Sequence, residues 1–174
     1  MRIYQGDISK ESLKLFVSDI GSGEFFSYVG SQVSLEQAIS VLGLLSPDFI
    51  EVDEHIFWLS DAQQYDPQKY RLEGLVETEF GRLQKSSLRR DVERYRNNFP
   101  INQFFSKWEE ESSRPVFKVG LSKEDYRLCH LFADQVAKHW KRELSNLFPR
   151  KSFQFEIVDN LLDEYGVCLT FWQP

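Results

Sequence analysis

Residues able to do chemistry are sparse in this chain, and they are scattered. The densest set is Glu51, Asp53, Glu54, His55 and Asp61. In an extended run Glu51, Asp53 and His55 would share one face, because alternate residues of a strand do. Two carboxyls and an imidazole enclosed together could serve as general acid and base. Acids at a hairpin tip are otherwise simply hydrated, and no nucleophile or metal-ligand spacing accompanies these. The neighbourhood of Asp53, Glu54 and His55 is therefore an alternative reading, an enzyme with an acid–base site.

The other reactive types give less. His130 and His139 are nine residues apart. On one helix, at ~100° per residue, that spacing puts them on opposite sides, unable to share an ion. Cys129 and His130 are adjacent, so a helix turns them apart and leaves the thiol without an activating imidazole. Cys129 falls on an apolar stripe and Cys168 lies between Val167 and Leu169, where a cysteine acts as a small hydrophobe. No catalytic residue, metal ligand or cofactor site is assigned from these types. With no apolar leader before Asp7, the chain reads as cytoplasmic, with both thiols reduced.

A basic stretch holds Arg82, Lys85, Arg89, Arg90, Arg94 and Arg96 against Asp91 and Glu93, a local net charge of +4. On a helix Arg82, Lys85, Arg89 and Arg96 would line roughly one face, interrupted by Glu93. Such a face can meet phosphates or a partner. It can also be a solvated surface, or pair with the acidic front of the chain. Residues 1–80 carry 5 Lys+Arg and 14 Asp+Glu, a net of −9, while residues 81–174 carry +3. The acidic front argues against nonspecific binding to nucleic acid or an anionic membrane.

Asp19-Ile20-Gly21-Ser22-Gly23 resembles the start of the D-x-G-x-G-x-G loop of class I methyltransferases. That resemblance would imply an S-adenosylmethionine site on a β/α fold. Phe25 stands where the loop needs its last glycine, and a strand-like run follows, so the segment reads as a turn.

The elements that must position these groups follow from periodicity and turn chemistry. Residues 13–29 read as a β-hairpin about Gly21-Ser22-Gly23. Ser34 and Gln37 form a capping box for a helix with Leu35, Ala38, Ile39, Leu42 and Leu45 on one face, closed by Pro47. Phe49–Val52 and His55–Leu59 form a strand pair turning at Asp53-Glu54. A long helix is expected from Asp66-Pro67 to Phe99, with a kink near Ser86-Ser87. A short turn follows with Ile101, Phe104, Phe105 and Trp108 inward, then a linker-like run over 109–114.

After strand Val116–Val119 comes the clearest helix, opened by Ser122-Lys123-Glu124-Asp125 and ended by Pro149. Its buried stripe reads Cys129, Phe132, Val136, Trp140, Leu144 and Leu147. Phe153–Val158 and Val167–Trp172 pair around Asp159–Gly166. The order is roughly ββαββ, then αα, then βαββ, an α+β fold with a mainly antiparallel sheet. Aromatics are 15% of 174 residues, with 15 Phe, so a Phe- and Trp-based core is expected. The chain reads as one domain over 1–174, with lobes 1–108 and 115–174 as a subdivision.

No run is long enough to span a bilayer. By elimination, the leading expectation is a non-enzymatic interaction or regulatory protein of adaptor or immunity type. Its partner would be another protein or a second copy, and Trp58, Trp108 or Trp172 would suit a contact if exposed. Nucleic-acid or phosphate binding through Arg82–Arg96 is the remaining alternative.

Overall fold

A computed structural model describes Ile8 and residues 25–59, 73–105, 108–111, 114–117, 122–162 and 164–174. The chain divides into two compact units, residues 1–44 and 45–174. Each is taken by itself below.

In the first unit the described residues are mainly two helices, α1 (Phe25–Gln32) and α2 (Leu35–Leu45), the last residue of α2 belonging to the second unit. The run Phe25 to Val29, expected as the second arm of a hairpin, is helical. β-propensity is weak and yields to context, so Phe25, Tyr28 and Val29 do not compel a strand. The first arm and its Gly-Ser-Gly turn, residues 13–24, lie outside the described residues. The methyltransferase-like glycine run lies there too.

α2 starts where expected. The Ser34 amide donates to Gln37 Oε1 at 2.9 Å, and the Gln37 amide donates to Ser34 Oγ at 3.2 Å. Two amides that no helical turn could satisfy are thus paired. Glu36 sits in this first turn, where backbone hydrogen bonding and Ser34 hold its carboxyl below the usual range.

The second unit is built from short antiparallel ladders. β1 (Phe49–Val52) and β2 (His55–Trp58) pair in the expected hairpin, with Phe49 opposite Trp58 and Val52 opposite His55. Asp53 and Glu54 occupy a two-residue turn at φ 47° and 70°. Two positive φ values are what a type I′ turn requires, and its twist matches that of the strands.

β3 (Gly74–Glu77) and β4 (Leu83–Ser86) form a second hairpin. This overturns the long helix expected from Asp66 to Phe99, of which residues 66–72 lie outside the described residues. Among the described residues of that stretch only α3 (Arg89–Arg96) is helical. Two glycines account for the change. Gly81 turns the hairpin at φ 67°. Gly74 lets β3 press on α3, because a Cβ built there would lie 2.6 Å from Val92 Cα. Phe80, expected on the apolar helical face, is instead at the hairpin tip and 80% exposed.

β5 (Phe99–Pro100) and α4 (Ile101–Phe105) follow, then β6 (Trp108–Glu111) paired with β7 (Arg114–Phe117). α5 (Lys123–Leu147) comes next. Its Ser122 cap and Asp125 exchange both capping-box hydrogen bonds, as the sequence indicated. β8 (Gln154–Leu161) and β9 (Glu164–Trp172) close the chain, with β9 central in a three-stranded sheet ordered β5-β9-β8. The ladder reaches further into the Asp159–Gly166 connection than expected. A bulge at Asn160 and left-handed backbone at Asn160, Leu162 and Gly166 let it do so.

Helices with antiparallel sheets make this an α+β fold, and its core is the aromatic one expected. Trp140 of α5 is fully buried, and its ring lies 5.3 to 6.0 Å from those of Phe49, Trp58, Phe99 and Phe171. Such edge and tilted contacts add to the area each ring buries. The α5 stripe is buried at Cys129, Ala133, Val136, Trp140 and Leu144. Leu147, expected inside, is exposed at the last helical residue, and Phe132 is half-buried.

Candidate functional site

Two fully buried polar side chains lie one turn apart, Glu93 on α3 and Asn97 at its C-cap. The Glu93 carboxyl accepts from the Ile56 amide (2.8 Å), the Gln173 amide (2.6 Å) and the Gln173 side-chain amide (2.6 Å). Asn97 accepts from the Trp58 amide and donates to the carbonyls of Ile56 and Phe171. Ile56 and Trp58 point these groups away from β1, and Phe171 and Gln173 lie at the end of β9. The two side chains therefore stand between β2 and β9 where another strand would otherwise supply partners. A buried backbone amide left unpaired costs about 1–3 kcal/mol, so this network fixes both strand ends.

Gln173, held by Glu93, also donates to the Glu54 carbonyl. There it forms part of the wall of a cleft. The cleft has a volume of about 290 Å³ and is lined by Glu54, Arg89, Arg150, Lys151, Ser152, Gln173 and Pro174. Lys151 Nζ donates to Glu51 at 2.7 Å and to the Glu54 carbonyl at 3.1 Å, which pins it to the β1–β2 hairpin. Arg89 reaches the main-chain oxygen of Pro174 at 3.4 Å. No described residue hydrogen-bonds or ion-pairs with the Arg150 guanidinium, or bonds the Ser152 hydroxyl. Three cations thus meet beside the carboxyls of Glu51 and Glu54 and the Pro174 oxygen, in a recess whose Gln173 wall is fixed from the core.

The basic stretch read from the sequence is dispersed by the fold. Of its six residues only Arg89 lines the cleft. Arg82 lies in the β3–β4 turn and Lys85 pairs with Glu73 at 3.1 Å. Arg90 pairs with Asp91 at 3.2 Å, and Arg94 pairs with Glu156 at 2.7 Å while lying over the Trp172 ring. Arg96 is half-buried on α3. The single helical face expected for Arg82, Lys85, Arg89 and Arg96 does not exist, because the first two are on a hairpin. Glu93, which seemed to interrupt that face, points into the core.

The hairpin-tip acids also fan out. The register pairs Val52 with His55 and Glu51 with Ile56, so Glu51 and His55 belong to opposite faces, and Asp53 sits in the turn. Asp53 and Glu54 are exposed. His55 Nδ1 lies 2.9 Å from the Asp53 carbonyl, and its ring stacks on Phe57.

His130 and His139 are held separately: His130 Nε2 meets Asp159 at 2.9 Å, and His139 Nδ1 meets Arg142 at 3.1 Å. Burial, with Asp159 beside it, pushes Tyr126 up to about 12. Cys129 and Cys168 are free and buried, and burial raises both thiols. Among the described residues no group of three His, Cys, Asp or Glu could hold a metal. None of the described helices is long and apolar enough to cross a membrane.

Arg150, Lys151 and Ser152 were not singled out in the sequence. Their only local signal is two cations directly after the helix-ending Pro149. What brings them to Arg89 and Glu54 is tertiary, and no spacing encodes it.

In the first unit, α2 offers a different kind of surface. None of its residues is buried. Leu35 is 74% exposed, and Ile39 and Leu42 are each 58% exposed. The spacing i, i+4, i+7 places all three on one stripe.

Compared with protein-family models, curated proteins and solved structures, the chain matches none.

Proposed function

We propose that this is a non-catalytic interaction protein of adaptor or immunity type, and that α2 meets the partner. The observation that supports this is the exposed stripe of Leu35, Ile39 and Leu42 on a properly capped helix. Large apolar side chains are common singly on surfaces, but three aligned on one helical face have an uncompensated hydration cost. Covering each contributes about 2 kcal/mol. Association costs at least ~4 kcal/mol in lost rigid-body freedom, so the three residues offset that cost with little to spare. The partner must therefore contact more than this stripe. Val29 of α1 and Val41 of α2, both exposed, are further apolar groups in the same unit.

The test is native mass spectrometry of the protein purified gently from its own cells, beside the triple variant Leu35→Ser, Ile39→Ser, Leu42→Ser. A discrete added protein mass, either a second copy or another chain, is expected in the parent and absent in the variant. Far-UV circular dichroism should show the variant still folded. A bare monomer in both, or an added mass that survives the variant, would overturn the reading.

A further inference from the structure

We propose that the cleft between the β1–β2 turn, the start of α3 and the segment after α5 binds a phosphate dianion, as inorganic phosphate or a phosphomonoester. The inference is independent of α2, which lies on the other unit.

The donors decide the ligand class. Arg150 brings five N–H groups, and none is engaged by a described residue. Arg89 uses one of its five on the main-chain oxygen of Pro174. Lys151 spends two of three on Glu51 and the Glu54 carbonyl and keeps one. The Ser152 hydroxyl adds a neutral donor. Donors from four side chains suit a tetrahedral group with several acceptor oxygens, and arginine is well matched to phosphate.

Charge is close to balance: Lys151 is offset by Glu51, and Arg89 meets the main-chain oxygen of Pro174, a carboxylate in the 174-residue chain, which leaves Arg150 to attract an anion against Glu54. The cleft therefore selects its ligand by the number and geometry of its donors, and removing the Glu54 charge is what raises its net charge. A volume near 290 Å³ is at the small end for ligand sites, and admits a phosphate with a small attached group.

The cleft is also organised before a ligand arrives. Gln173 has both side-chain protons committed, to Glu93 and to the Glu54 carbonyl, so it acts as a fixed wall. Lys151 is tethered at two points. Only Arg89 and Arg150 have to settle on binding, which limits the ordering cost.

Inorganic phosphate titrated into the full 174-residue protein at low ionic strength, followed by amide NMR, tests this. Saturable shifts are expected at Arg89, Arg150, Lys151, Ser152 and Gln173. Arg150→Gln should weaken binding about tenfold, with Arg89→Gln as a second variant of the same sign. Glu54→Gln should tighten it about threefold by removing a like charge. Lys85→Gln, on β4 and paired with Glu73, should leave it unchanged.

Methyl phosphate separates the two sources. Binding tighter than inorganic phosphate assigns a phosphorylated molecule, and weaker binding assigns the free ion. Shifts that never saturate, acetate binding as tightly as phosphate, or Lys85→Gln weakening binding as much as Arg150→Gln would each overturn the proposal. Arg150 is exposed and unpaired among the described residues, so an unchanged melting temperature verifies that its variant is folded.

Discussion

α2 and α5 begin in the same way and end differently. Each is opened by a serine whose side chain accepts from the third residue beyond it, and whose own amide is bonded in return. Each carries an apolar stripe at helical spacing. Yet α5 buries Cys129, Ala133, Val136, Trp140 and Leu144, while α2 buries nothing. The difference teaches that capping and periodicity decide whether a helix forms and which face is apolar. They do not say what covers that face.

The sharpest way to break the comparison is to truncate both stripes. Trp140→Ala should cost about 4 kcal/mol in denaturant unfolding, because it removes four aromatic contacts and leaves a cavity. If it cost no more than a change on α2, the aromatic cluster would not be the core of the second unit. Next in size is Asn97→Ala, expected to cost about 2–3 kcal/mol, since the Trp58 amide and two buried carbonyls lose their partner.

Ser122→Ala should cost about 1 kcal/mol through the lost cap. The equivalent Ser34→Ala tests how far α2 depends on its cap when packing gives it nothing.

A graded effect comes with pH. Both thiols and Tyr126 are raised in the folded state, so the neutral form is the one that folding favours. The stability this gives is complete below the ordinary thiol value of 9.0 and is lost as pH rises through the folded values. Unfolding free energy measured from pH 8 to 11 should fall, and fall less in Cys129→Ala than in the parent. A flat profile would mean the thiols are better solvated than their burial indicates. The smallest effect on stability should be Ile39→Ser on α2, within about 0.5 kcal/mol. If α2 meets a partner, that same change should weaken the association.

What was legible follows the same division. The Asp53-Glu54 hairpin, both capped helices, the β8–β9 pair and the aromatic core could be read because each is set by neighbours in sequence. The helix expected across residues 74–86 failed because Val76, Phe80 and Leu83 match a helical period by coincidence. Gly74 and Gly81 carried the contrary signal, one by close approach to Val92 and one by its positive φ. The candidate cleft was legible only at Arg89, with Glu54 noticed for a different role. Arg150 and Ser152 lie about sixty residues further on, and no periodicity joins them to α3. Glu93 seemed a flaw in a basic face because the sequence does not show that its carboxyl serves two strands.

That last feature has a dynamic consequence. The amide hydrogens of Ile56, Trp58 and Gln173 are held by side chains of a helix and not by a neighbouring strand. None can reach solvent until α3 leaves, and its departure frees all three together. In hydrogen–deuterium exchange these amides, two on β2 and one just past β9, far apart in the sequence, should therefore share one opening free energy, with α3 acting as a common latch.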